Sequence, residues 1–200
     1  MKLYGSLTSP YVRKVRVLLI EKNIPCELLV CDPHQPDSIV QRHNPLGKVP
    51  VLERDDGSNL FDSPVIIEYL DGLGSDALIP AAGESRWRVL RWQALADGIL
   101  DAVVTRLLET RRPGERQSPE AMTLQESKIA RALAFADESC GAKSYLLNGR
   151  FTLADLALGV ALAYVDFRYP HDWRSKHRRL ASWFAATSAR SSFVETQPPA

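Results

Sequence analysis

Three proline-bearing sites combine residue type and spacing in a way that can do chemistry: Ser9-Pro10, Asp62-Ser63-Pro64 and Val49-Pro50. Serine is a strong helix N-cap and proline suits the first helical position, so Ser9-Pro10 starts a helix. The first N–H groups of a helix have no partner inside it, and the same place is therefore a seat for an anion. A thiolate brought there gains about 0.3–1 kcal/mol from the helix dipole. A hydrogen bond donated by the Ser9 hydroxyl adds roughly 1.5–3 kcal/mol. The sum, ~2–4 kcal/mol, compares with about 1.36 kcal/mol for each tenfold change in acidity. A thiol that ordinarily titrates near ~8.5 then becomes mostly thiolate at neutral pH. Desolvation of the anion opposes this, so the sum is an upper bound.

Asp62-Ser63-Pro64 repeats the pattern with an acid in front. The helix end and the Ser63 hydroxyl can hold a carboxylate, while Asp62 can pair with an ammonium. Two such helix starts can address opposite ends of one zwitterionic peptide. Each also serves as a simple cap, and neither is specific alone. In Asn44-Pro45-Leu46-Gly47-Lys48-Val49-Pro50-Val51-Leu52, Pro50 leads straight into an apolar strand. A trans bond is the commoner form, since only about 5–6% of X–Pro bonds are cis. A cis Val49–Pro50 bond would turn the N–H and C=O of Val49 toward an extended ligand, as in strand addition by a peptide.

Other reactive side chains give weaker signals. Cys26, Cys31 and Cys140 make no CxxC pair and no zinc spacing, and they read as free thiols of a reducing compartment. His34, His43, His171 and His177 have no nucleophile motif near them. The basic stretch Arg168 to Arg179 reads as a solvated turn and helix start. Over 200 residues, 25 basic and 24 acidic side chains leave a net charge of +1, which gives no footprint for nucleic acid. No apolar run approaches the roughly 18 residues of a membrane span, and the first residues do not resemble a signal peptide. The expectation is a cytoplasmic protein with neither a membrane nor a nucleic-acid partner and no metal.

The elements that must position these residues come in two kinds. Lys2 to Gly5 reads as a strand, Pro10 to Lys22 as a helix with Val12, Val15, Leu18 and Leu19 on one side, and Cys26 to Cys31 as a second strand. A short helix over Asp37 to Arg42 precedes Val49 to Glu53. Asp56-Gly57 then turns into Asn59 to Phe61, with both turn residues expected at positive φ. A helix from Pro64 to Tyr69 closes the unit. The order βαβ then ββα predicts a mixed sheet. From Asp71 to Gly83 the chain reads as a linker, and beyond it only helical patterns follow: Glu84 to Thr110, Glu120 to Cys140, Leu153 to Val165 and Lys176 to Ser188. The expected domains are residues 1–76, α/β, and 84–200, all-α. Trp87 and Trp92 on the long helix read as core or interface anchors.

Taken in order, Ser-Pro-Tyr-Val-Arg-Lys-Val-Arg, Asn-Pro-Leu-Gly-Lys-Val-Pro-Val-Leu and Phe-Asp-Ser-Pro-Val-Ile-Ile-Glu-Tyr-Leu resemble the glutathione transferase N-terminal domain. Asn-Gly-Arg-Phe-Thr-Leu-Ala-Asp, from Asn148 to Asp155, is similar to the motif of that family's helical domain. The resemblance, nearest to small bacterial serine-type cytosolic transferases, spans nearly the whole chain. It implies a thioredoxin-like N-terminal domain that binds glutathione as co-substrate and an all-helical domain that forms the second-substrate pocket. It implies Ser9 as the catalytic residue at the glutathione sulfur, Val49 pairing with the cysteinyl backbone before a cis Pro50, and Asp62 and Ser63 at the γ-glutamyl end. Lys48 is the candidate for the glycyl carboxylate, with His34 behind it, and Thr8 can share the role of Ser9. Leu7, Tyr11 and the segment from Arg106 to Arg112 are expected as walls of the second pocket, and a homodimer is the family habit.

Thr152 and Asp155 form a capping box whose role is folding. A serine cannot form a mixed disulfide, which favours conjugation of the thiolate to electrophilic, mostly apolar small molecules over thiol transfer. Isomerase, lyase or dehalogenase chemistry on the same thiolate, or a non-catalytic adaptor role, remain alternatives.

Overall fold

The computed structural model describes residues 1–74, 76–141 and 144–199, and the chain divides into two units. The first unit takes Met1–Ile79 together with the end of the chain from Ser191; the second is Pro80–Arg190.

The first unit contains β1 (Lys2–Gly5), α1 (Pro10–Glu21), β2 (Glu27–Val30), α2 (Val40–His43), β3 (Val51–Glu53), β4 (Asn59–Leu60) and α3 (Ser63–Asp71). The sheet order is β2-β1-β3-β4, with β1 parallel to β2 and antiparallel to β3. This is the expected mixed sheet of a thioredoxin-like domain. Helix α1 buries Val12, Val15, Leu18 and Leu19, the stripe that its helical period predicts. It comes so close to β1 that a Cβ on Gly5 would lie 2.4 Å from a methyl of Val12, so only glycine fits there.

The β3–β4 turn differs from expectation. Only Gly57 has positive φ, at 80°, and the N–H of Arg54 donates to the C=O of Ser58. Asp56 instead accepts from the Ser58 N–H at 2.9 Å, an Asx turn that lengthens the loop. The segment after α3 is also no loose linker. The Asp71 carboxylate accepts from the N–H groups of Leu78 (2.8 Å) and Ile79 (2.9 Å) and pairs with Lys22 at 3.0 Å. The unit therefore runs to Ile79, past the expected boundary at 76.

The end of the chain was expected within the helical domain, but it packs on the first unit. A short helix, α8 (Ser191–Glu195), lies against α1. Arg13 donates to the Phe193 C=O at 3.0 Å and to the Thr196 hydroxyl at 3.4 Å, and the Ser192 hydroxyl donates to Glu21 at 2.5 Å.

The second unit is helical: α4 (Gly83–Thr110), α5 (Pro119–Cys140), α6 (Leu153–Arg168) and α7 (Arg178–Ser188). Helix α6 is buried without a break from Leu153 to Leu162, as an apolar helix at the centre of a bundle must be. Its start is fixed by Asp155, which accepts from the Thr152 N–H (2.9 Å), the Thr152 hydroxyl (2.9 Å) and the Leu146 N–H (2.8 Å). Among the described residues no helix is long and apolar enough to cross a membrane.

Candidate functional site

Strand register brings the first unit's candidate residues together. Tyr4 pairs with Val51, so the antiparallel ladder sets the end of β1 beside the start of β3, where Val49-Pro50 enters the strand. Leu52 pairs with Leu60, so the end of β4, from which the chain runs into Asp62-Ser63, lies at the same end of the sheet. Ser9, Val49-Pro50 and Asp62-Ser63 thus gather at the end of the sheet where β1 finishes. Open α/β sheets bind ligands at this carboxyl end of their parallel strands.

At the first position, Ser9 caps α1 with extended backbone (φ −75°, ψ 124°), and its Oγ accepts from the Val12 N–H at 3.4 Å. The oxygen is occupied as an acceptor, which leaves the hydroxyl proton available to donate. A turn from Ser6 to Ser9, closed by the Ser9 N–H on the Ser6 C=O at 3.2 Å, carries the chain from β1 into this cap. Thr8 is half-buried in the same turn.

At the second position, the Val49–Pro50 bond is cis. The loop before it is held by Asn44, a residue to which sequence reading assigned no role. Buried Asn44 donates from Nδ2 to the Lys48 C=O at 2.8 Å and accepts the Leu46 N–H on Oδ1 at 3.0 Å. Gly47 turns the loop at φ 61°. An Asn directly before Pro is the signal that could have found this support. Val49 packs against Tyr4, Val40 and Val51, and its backbone N–H and C=O have no partner among the described residues. Lys48 is exposed beside it, and His34 is exposed in the loop after β2.

At the third position the cap is Asp62 and not Ser63. The Asp62 carboxylate accepts the Ser63 N–H, and the Phe61–Asp62 bond is also cis. Asp62 is exposed, so its second oxygen is open to an ammonium. Ser63 is 1% exposed and its Oγ has no hydrogen-bond partner. A buried hydroxyl left unpaired costs free energy of order 1–3 kcal/mol, and a ligand carboxylate would satisfy it.

The thiols offer no rival nucleophile. Burial pushes the Cys26 and Cys31 thiols up, away from the thiolate form, and all three cysteines are free. Among the described residues no group of three or more His, Cys, Asp or Glu could hold a metal ion.

Residues 3–76 match the family "Glutathione S-transferase, N-terminal domain", and residues 119–186 match "Glutathione S-transferase, C-terminal domain". The chain is 37% identical to the uncharacterized GST-like protein YibF of Escherichia coli strain K12, over 100% of this chain and 99% of that one. A glutathione S-transferase from Methylobacillus flagellatus KT, solved with glutathione bound, superposes with a TM-score of 0.96 at 42% identity over 99% of each chain. A glutathione transferase family member from Pseudomonas fluorescens Pf-5, solved with S-(propanoic acid)-glutathione, superposes at 0.90 with 39% identity over 100% of each chain. Both halves match in order, and relatives of nearly the same length align from end to end: the chain belongs to the glutathione S-transferase family.

Proposed function

We propose that this protein binds glutathione along the carboxyl end of its sheet and conjugates the glutathione thiolate to an electrophilic carbon of small, mostly apolar molecules. One observation carries the reading. The Ser9 cap, the Val49 backbone without a partner among the described residues and the unpaired, buried Ser63 hydroxyl fall at one end of one sheet. Ser63 takes the γ-glutamyl carboxylate and Asp62 the ammonium. Val49 pairs with the cysteinyl backbone, and Lys48 meets the glycyl carboxylate. The relative solved with S-(propanoic acid)-glutathione holds a thioether of the kind such a transfer yields.

Ser9 donates its proton to the sulfur without giving it up, and the α1 N-terminus favours the negative charge beside it. The thiol proton leaves to solvent. The thiolate then forms a C–S bond, and either a leaving group departs with its electron pair or, on an activated alkene, the carbanion takes a proton from water. Ser9 forms no covalent intermediate, so the gain lies in thiolate population and position. A cytoplasmic homodimer completes the reading. In Ser9→Ala, the thiolate absorbance of bound glutathione should titrate at higher pH than in the parent. Turnover of an activated aryl halide should fall ten- to a hundredfold, matching about 1.5–3 kcal/mol. An unchanged titration would remove Ser9 from the mechanism.

A further inference from the structure

Two arms of the first unit supply most of the proposed glutathione site. One is the loop from α2 to β3, which ends on Val49; the other is β4 and the residues after it, which end on Asp62-Ser63. They address neighbouring parts of one tripeptide, the cysteinyl backbone and the γ-glutamyl end. A site of this kind works only while its groups keep their spacing to within about 0.5 Å.

His43 joins the two arms. It is the last residue of α2, and its Nδ1 lies 3.0 Å from Oδ1 of Asn59, in β4. An amide oxygen only accepts, so Nδ1 carries the proton and donates it. The ring is half-buried and stacks on Tyr4 of β1, with centroids 4.5 Å apart and planes 25° apart. Glu53 of β3 faces the same nitrogen at 3.9 Å. That carboxylate is itself held by the Tyr4 hydroxyl, which donates to Oε2 at 2.7 Å, and by Lys2 at 3.4 Å from Oε1. Burial, and after it the bond to Glu53, push the Tyr4 hydroxyl up to about 12, so it stays a donor.

Strand register explains the cluster. Lys2 pairs with Glu53 and Glu53 with Asn59, so the three lie in one row across the sheet. Side chains alternate along strands, which puts this row on the face where Tyr4 and Val51 pack with Val40 of α2. Asn44, the residue after His43, makes the bonds that shape the loop up to Val49. Among the described residues, the bond from His43 to Asn59 is the one side-chain hydrogen bond between the two arms.

We propose that His43 is a positioning residue for glutathione: its bond to Asn59 fixes the spacing between the arm that ends on Val49 and the arm that ends on Asp62-Ser63. The inference rests on the glutathione reading above and names what keeps that site in shape. Ser9 stands on a third segment, the turn between β1 and α1, to which His43 makes no hydrogen bond among the described residues. Loss of the tie therefore weakens binding, while the sulfur of any glutathione that does bind still meets Ser9.

The test titrates the full chain with S-methylglutathione in a calorimeter, beside steady-state turnover of an activated aryl halide. The blocked sulfur keeps thiol ionisation out of the affinity. His43→Phe keeps a flat ring over Tyr4 and loses the donor. It should weaken S-methylglutathione by about fivefold or more and raise the KM for glutathione alike, with kcat within about twofold of the parent. His43→Asn returns an N–H near the place of Nδ1 and should recover most of the affinity. Asn59→Ala should match His43→Phe, and the double variant should lose no more than either alone, because both remove one bond. Asn59→Ala also gives the answer where His43→Phe folds poorly. Parent-like affinity in a folded His43→Phe or Asn59→Ala, additive losses in the double variant, or a fall in kcat at unchanged KM would each overturn the tie. A parent that binds no S-methylglutathione would overturn the glutathione reading and the tie with it, whereas a parent that binds beside unaffected variants removes the tie alone.

Discussion

The Ser63 hydroxyl is a small group with a large consequence, because it is buried without a partner. Burial of an unpaired polar atom works against folding, so Ser63→Ala should leave the melting temperature unchanged or slightly raised. The same substitution should weaken glutathione by about tenfold or more, since it removes a hydrogen bond to a charged group. Calorimetric titration beside thermal melting checks both, and a variant that loses stability and keeps affinity would contradict the assignment. Ser9 was legible as a cap because Ser-Pro before a helical stripe has a local meaning. Asp62 and Ser63 were legible as a pair but not in their division of labour. Which of two adjacent residues caps a helix depends on backbone torsions, here the extended φ of Asp62. Asn44 went unread because its partners, the Lys48 C=O and the Leu46 N–H, are backbone groups that no side-chain motif announces.

Helix starts carry the next scale of organisation. Asp155 holds three donors at the first turn of α6, with no opposing cation in contact among the described residues. Burial pushes its carboxyl up, against the hydrogen bonds that pull it down. A raised folded-state value means that the folded chain holds this proton more tightly than the unfolded chain. The favourable contribution is then fully present below the ordinary carboxylate range and is lost as pH rises through the folded value. Asp155→Ala should cost roughly 2–4 kcal/mol by stranding those donors and should remove this slope; denaturant melts between pH 3 and 7 measure both. The helices and the mixed sheet were readable because apolar period and caps coincide. The β3–β4 loop was not, since Asp56-Gly57 also fits a longer turn once Asp56 bonds forward to Ser58. Helix α8 was missed because five residues are too few to show a period.

At the scale of the whole molecule, α4 carries Trp87 at 62% exposure, whereas Trp92 is buried at 4%. The second therefore belongs to the core, and the first lies on the surface, where the proposed homodimer would use it as an anchor. If the homodimer forms through this face, Trp87→Glu should give a monomer in sedimentation with its helical content intact. The end of the chain makes a separate prediction. Phe193 is 1% exposed, and Arg13, which burial pulls down to about 10, finds two acceptors there. Ending the chain at Arg190 should cost at least about 3 kcal/mol, from lost burial of one large side chain plus a stranded cation. Equilibrium unfolding of the shortened protein measures it. The two-domain division was visible in the sequence, but the return of the last segment was not, because a contact spanning some 180 positions leaves no local trace.

That return sets a timetable for synthesis. The sheet and its first three helices emerge from the ribosome well before Phe193 and Thr196 are made. Roughly 120 further residues, at about 5–20 per second, put some 6–24 s between the two events. Throughout that interval one flank of α1 and the Arg13 guanidinium stand uncovered, so the half translated first is the half completed last.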